Sequence, residues 1–394
     1  MHIHTVKRGE SIFGIAREYA VSPAGIIEYN GLENPDVLAV GEELLILTPT
    51  RSYTAHPGDT VGSVARRFGI SREEIFSANP ALLGDDRLYD GRQIALGYGD
   101  ARLGMAASNG YLYRDSTEES LRCALPYLTY LSVASATAKG GRITPVFKAD
   151  WAIKMTKDRG KIPLLRIFCD GCREIYESEE RSDLFIRELI SAASDGGYSG
   201  LTLSAPEEGV EEERYEQFIL KLRMRMIGSG LILFTEASPT RSYSYADYAD
   251  GCVLSYGKLC GEALDFEHGE RTVFTQYAEE CESSKTFLDI ASFATSNGSY
   301  IGYRDAVRTA AKVGAEIKRD PDLGICRYSY KKRNGDTVEV EYESLANIKA
   351  KLELMGELGY MGISFDVGRT PIAHLMAYSA LFSGICYTSV FGQI

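Results

Sequence analysis

The chain has 394 residues, 44% of them hydrophobic and 25% charged, with 43 Lys plus Arg against 55 Asp plus Glu and a formal net charge of −12. That composition excludes a disordered or fibrous chain and, at roughly 100–200 residues per domain, predicts two or three domains. The acidic balance argues against a nucleic-acid partner, a single local basic patch excepted, and no run approaches the roughly 18 apolar residues of a membrane span.

In chain order, the first elements form a repeat. Residues 3–48 and 52–97 align with a shift of 49, HTVKRGESIFGIAREYAVSPAGIIEYNG against YTAHPGDTVGSVARRFGISREEIFSANP. Each copy reads as a short strand, a turn of Gly, acidic residue and Ser/Thr that also caps a helix, a second short helix, and a closing strand. This pattern resembles the LysM module, whose family binds the N-acetylglucosamine chains of peptidoglycan and chitin; it predicts one module over residues 1–49 and a second over 50–98. In that family the sugar lies between the first strand-to-helix loop and the loop after the second helix. The resemblance therefore implies glycan contacts from Gly9, Glu10, Ser11, Ile12 and Asn30, and from Gly58, Asp59, Thr60, Val61 and Asn79. Loop amides suit acetamido oxygens, and an apolar side chain suits the acetyl methyl. The same residue types also make a turn and a helix cap by themselves, so both roles stand as expectations.

From about residue 101, apolar β-rich stretches alternate with helical segments, the pattern of a parallel sheet with crossover helices. Strands are expected at Leu103–Ser108, Leu128–Ala134, Pro163–Phe168, Gly200–Ala205, Leu231–Glu236, Cys252–Tyr256, Thr286–Ser292 and Met361–Asp366. Eight strands over residues 101–394 predict an α/β chain ending in a (β/α)8 TIM barrel. An α+β insertion over about 299–345, between strands seven and eight, is expected to hold a helix at Tyr303–Val313 and a hairpin, Ile325–Tyr330 with Thr337–Tyr342, turning at Asn334-Gly335. Through the segments Ala124–Ser132, Ile162–Arg166, Gly197–Leu201, Arg214–Ile219, Leu254–Tyr256 and Leu345–Gly362, this region is similar to glycoside hydrolase family 18. Tandem LysM ahead of such a barrel is similar to the spore cortex-lytic N-acetylglucosaminidases.

The resemblance implies substrate-assisted hydrolysis by acidic residues in the pattern D-x-x-D-x-D-x-E at the end of strand four. Aligned on Gly197-Tyr198 and Gly200, those four positions fall on Ser199, Thr202, Ser204 and Pro206, none of which ionises near neutrality. Glu207 and Glu208 lie just beyond as fallback acids, the first with the wrong strand parity and the second about 6.6 Å farther along. On strand six the Tyr that would bond the acetamido group is kept as Tyr256, while its Asp is Gly257; on strand eight the Trp under the sugar falls on Asp366. The expectation is a barrel without family-type hydrolysis, in a peptidoglycan-binding protein of the spore or cell envelope. The alternatives are an active N-acetylglucosaminidase using Glu207 or Glu208, and a scaffold docking spore coat or cortex proteins. The N-terminus shows no secretory signal, so synthesis in the cytoplasm and association with the spore or cell wall are expected. No cofactor is expected. The five scattered histidines predict no metal site, and Cys169-Asp-Gly-Cys172, the one Cys-x-x-Cys, reads as structural.

Overall fold

The computed structural model describes residues 1–98, 102–237, 244–254, 271–280, 282–290, 294–320 and 324–384. Each repeat folds as strand, helix, helix, strand. The first is β1 (His2–Thr5), α1 (Ile12–Glu18), α2 (Pro23–Asn30) and β2 (Glu43–Ile46), with β1 antiparallel to β2. The second is β3 (Pro49–Thr54), α3 (Val61–Phe68), α4 (Arg72–Ala78) and β4 (Gln93–Tyr98), with β3 antiparallel to β4. Residues at helical spacing make each core: Ile12, Ile15 and Ile26 meet Leu44 and Ile46, and Val61, Val64 and Ile75 meet Ile94 and Leu96.

The rest runs β5 (Gly104–Leu112), α5 (Glu118–Ala124), β6 (Tyr130–Lys139), β7 (Arg142–Pro145), α6 (Asp150–Asp158), β8 (Ile162–Asp170), α7 (Arg173–Tyr176), α8 (Glu179–Asp195), β9 (Gly200–Leu203), α9 (Glu212–Met226) and β10 (Ile232–Ala237). It continues with β11 (Gly251–Leu254), α10 (Arg271–Glu280), β12 (Thr286–Asp289), β13 (Ala294–Ser296), β14 (Ser299–Ile301), α11 (Tyr303–Val313), β15 (Lys318–Asp320), β16 (Ile325–Lys331), β17 (Thr337–Glu343), α12 (Leu345–Glu357), β18 (Gly362–Asp366), α13 (Ile372–Leu381) and β19 (Phe382–Gly384). Eight parallel strands, β5, β6, β8, β9, β10, β11, β12 and β18, close into a barrel because both β18 and β6 pair with β5. Inward side chains such as Ala107, Tyr130, Leu164, Phe234, Val253 and Phe287 fill its lower interior.

The α/β class, the eight strands and the insertion between strands seven and eight are those expected, with two corrections. The first strand runs on to Leu112 through Asn109-Gly110, normally a turn dipeptide. Gly110 lies within that strand, and a Cβ there would approach Leu128 Cδ2 to 2.6 Å and Val367 Cγ2 to 2.9 Å, so the packing leaves no room for a side chain. The insertion's sheet also starts earlier, since β13 and β14 join β17, β16 and β15 in five antiparallel strands; at three residues each, β13 and β14 are too short to show alternation.

Both LysM modules pack against the barrel. Helix α13 contacts α2, α4 and β2, and Tyr29, Leu45, Ala78, Ala95 and Tyr98 join the barrel's outer core. Arg159 donates to the Gly84 carbonyl at 2.6 Å and stands over the Phe76 ring, and Tyr127 Oη donates to the Ser77 carbonyl at 3.0 Å. Ile317 N–H donates to the Val40 carbonyl at 2.8 Å. That approach needs glycine at position 41, whose φ is +86° and whose Cβ would lie 1.9 Å from the Ile317 carbonyl oxygen.

His374, completely buried in α13, has its imidazole pushed down to about 3 by burial and by the Lys351 ammonium. The unfolded chain takes up a proton near pH 6.5 that the folded chain refuses, so this contribution is intact above pH 6.5 and is lost as pH falls toward 3. Urea unfolding at pH 7 and pH 5 should show a loss of about 2 kcal/mol from this group; His374→Leu should remove that part of the slope.

Candidate functional site

In the LysM loops the residues singled out in the sequence serve the modules' own architecture. Ser11 Oγ accepts the Gly14 N–H as helix cap, and Thr60 and Ser63 cap each other reciprocally. Glu10 accepts from Lys7 N–H at 2.7 Å and meets His4 Nε2 at 2.9 Å, contacts that hold its carboxyl below the usual range. Asp59 accepts from Tyr53 Oη at 2.6 Å and His56 N–H at 2.9 Å, and is held down in the same way. Gly9 and Gly58 make the preceding turn at φ +83° and +86°.

Asn30 and Asn79 act as clamps. Each donates to two carbonyls, Ile26 and Leu45 or Ile75 and Ala95, and accepts from the Leu45 or Ala95 N–H, tying the second helix to the closing strand. Ile12 and Val61 are core residues with no surface to offer a sugar, which corrects their assignment as apolar receivers of the acetyl group. The exposed apolar ring beside the first loop is Phe13, 71% exposed, where the second module has Gly62. Its signal in the sequence was an aromatic residue inside the capped first turn.

The barrel mouth is built on the C-terminal ends of the strands. A polar layer crosses the interior: Ser132 donates to Asn109 Oδ1 at 2.8 Å, the Ser132 and Thr202 hydroxyls are 2.8 Å apart, and Asn109 Nδ2 donates to Ser364 Oγ at 3.2 Å. Above it, Arg166 on β8 is in register with Thr202 on β9, and Glu236 on β10 follows Thr235, in register with Leu203. The two charged side chains therefore flank Thr202 and Ser204 and reach across them. Arg166 Nε lies 2.5 Å from Glu236 Oε1 and Nη2 lies 2.8 Å from Oε2, with side chains 16% and 9% exposed. The guanidinium stands over the Tyr111 and Tyr113 rings at 5.1 and 5.9 Å. Burial opposes the Arg166 charge, but Glu236 outweighs it and holds the guanidinium protonated.

Asp366 ends β18 with its carboxyl raised by burial, against the pull of the Gly368 N–H and Arg369. Arg369 covers the outer side of Tyr113 and pairs with Asp115 at 3.0 Å. Burial pushes the Tyr113 phenol up to about 12, against the pull of the Arg166 guanidinium, and the charges of Glu236, Asp366 and Asp289 push the same way as burial.

At the four positions of the family's acidic pattern, Ser199 lies before β9, its N–H bonded to the Pro163 carbonyl at the lower end of the barrel. Thr202 is in the polar layer, Ser204 Oγ accepts the Cys169 N–H at 3.0 Å, and Pro206 is half-buried in the following loop. Glu207 accepts from the Gly171 and Arg173 N–H groups at 2.9 and 3.1 Å, tying it to the loop after β8; Glu208 is exposed. Tyr256 lies outside the described residues. Cys169 and Cys172 are buried and free, and hydrogen bonding from Cys169 draws the Cys172 thiol down to about 7. Among the described residues no His/Cys/Asp/Glu cluster could hold a metal, and no helix is long and apolar enough to cross a membrane.

Sequence reasoning missed Arg166 and Glu236 as a site, although both stood inside expected strands. The available signal was a charge at an inward parity near the C-terminal end of an apolar barrel strand. Arg166→Met takes the guanidinium away from the buried Glu236 carboxyl and should cost about 3–5 kcal/mol in urea unfolding, most of which Arg166→Met/Glu236→Leu should restore. Asn79→Ala, which orphans a buried N–H and two carbonyls, should cost about 1–3 kcal/mol in thermal melting.

Residues 4–47 and 53–97 match the LysM domain family. Over 416 residues the chain is 23% identical to a protein of Bacillus subtilis described as "Putative sporulation-specific glycosylase YdhD", covering 94% of this chain and 97% of that one. Its fold matches the spore cortex-lytic enzyme SleL of Bacillus megaterium with a TM-score of 0.75 at 21% identity, covering 98% of both chains. A chitinase of Chromobacterium violaceum matches with a TM-score of 0.59 at 16% identity, covering 70% of this chain and 98% of the chitinase. The chain thus joins two LysM domains to a (β/α)8 barrel, and its fold is similar along its whole length to that of the spore cortex-lytic enzyme SleL.

Proposed function

We propose that this chain is a peptidoglycan-binding protein of the spore or cell envelope, whose LysM modules hold N-acetylglucosamine glycan and whose barrel holds sugar without cleaving it. Support for binding comes from the two LysM domains and from a mouth that offers tyrosine rings beside paired charges, groups suited to a hexose face and its hydroxyls. The reading that the barrel does not cleave rests on one observation: in front of Thr202 and Ser204, where the family pattern calls for acids, stands the two-toothed Arg166–Glu236 pair. Glycosidic cleavage needs a carboxylic acid within about 2.6–3.2 Å of the leaving oxygen. Both Glu236 oxygens accept from the Arg166 guanidinium, at 2.5 and 2.8 Å. Glu207 is occupied by two backbone amides.

The active-hydrolase reading draws on the full-length likeness to a protein named as a glycosylase. Incubation with purified cortex peptidoglycan and with a chromogenic chitobiose derivative decides between the two. The expected result is sedimentation with the peptidoglycan, weakened by Phe13→Ala, and no release of reducing ends or chromophore. Turnover that disappears in Glu207→Gln, Glu236→Gln or Asp366→Asn overturns the non-catalytic assignment.

A further inference from the structure

A cleft of about 350 Å3 opens between the loop after α2 and the insertion helix α11, apart from the barrel mouth and from the Gly9–Ile12 loop. Its volume falls within the roughly 300–1,000 Å3 of small-ligand sites. Val37, Val307 and Ala311 give it apolar walls. Arg304, Arg308 and Lys312 recur every fourth residue along α11, which puts three cations on one side of the helix.

The opposing charge is thin. Glu33 lies 3.4 Å from Arg308 Nη1 and 4.0 Å from Arg304 Nη1 at an exposed position, and Asp305 takes another edge of Arg308. Lys312 has no ion-pair partner among the described residues. Glu42, buried at the back, has its carboxyl pushed up to about 7 by burial, so it carries only part of a charge near neutrality. In a chain of net charge −12, this cleft is locally cationic. The loop forming one wall, Gly31 to Val37, is also the loop that LysM resemblance places beside the bound sugar.

We infer that this cleft takes the peptide stem of a glycan seated on the first LysM module, a short peptide with free carboxylates and small alkyl side chains. The inference rests on the peptidoglycan-binding reading above. The cations meet the stem carboxylates, Lys312 with no bond to break among the described residues, and the apolar walls receive the alkyl groups. The insertion would then distinguish stem-bearing glycan from unsubstituted chitin-type chains, which lack these charges.

Calorimetric titration of the full chain with chitotetraose, with a disaccharide tetrapeptide, and with the same fragment bearing amidated stem carboxylates tests this. The tetrapeptide fragment should bind about tenfold tighter than the amidated one, an advantage that shrinks as salt rises. Lys312→Glu should erase that advantage while leaving chitotetraose affinity unchanged. Equal affinity of the wild type for all three ligands, or equal weakening of all three by Lys312→Glu, sinks the cleft assignment alone. Wild-type protein that binds none of them sinks the peptidoglycan reading itself.

Discussion

A guanidinium inside a barrel is tolerable only against a carboxylate, and Arg166 meets Glu236 at the mouth of this barrel. The pair fills the space in front of strand four, gives Tyr111 and Tyr113 a cation to stack on, and leaves Thr202 free to bond laterally within the hydroxyl layer. With three carboxylates, Glu236, Asp289 and Asp366, on the ends of strands five, seven and eight, the mouth keeps acidic groups. They stand on different strands from the one that the family pattern uses.

The LysM modules are bound to the barrel as fixed parts. The close approach of Ile317 to Gly41, the Ile317–Val40 main-chain bond and the shared apolar face of α13 hold them. A module held in this way presents its loops at a set distance from the barrel mouth. The insertion takes part in this docking: its strand β15 begins directly after Ile317, and its helix α11 walls the cleft against the first module.

Local chemistry explains why much of the architecture was legible beforehand. The repeat of Asn30 at Asn79 and of Ser11 at Thr60, 49 residues on, marks two copies of one small fold. The same regularity concealed what those residues do, since a clamp or a cap repeats as faithfully as a ligand contact. The helix of the insertion and its hairpin were legible from periodicity and from Asn334-Gly335, whereas the three-residue strands β13 and β14 exist only because β17 offers them an edge.

The amino-acid sequence alone determined the tandem modules, the eight-stranded barrel, the insertion and the absence of ionisable groups at Ser199, Thr202, Ser204 and Pro206, because these follow from residue identity, spacing and period. Only the tertiary structure decided that Arg166 and Glu236 meet across strand four, that Glu207 is tied to the loop after β8, and that α11 faces the first LysM loop. Those contacts join residues tens to hundreds of positions apart, and the closure of the barrel and the docking of the modules bring them together, which no local pattern encodes.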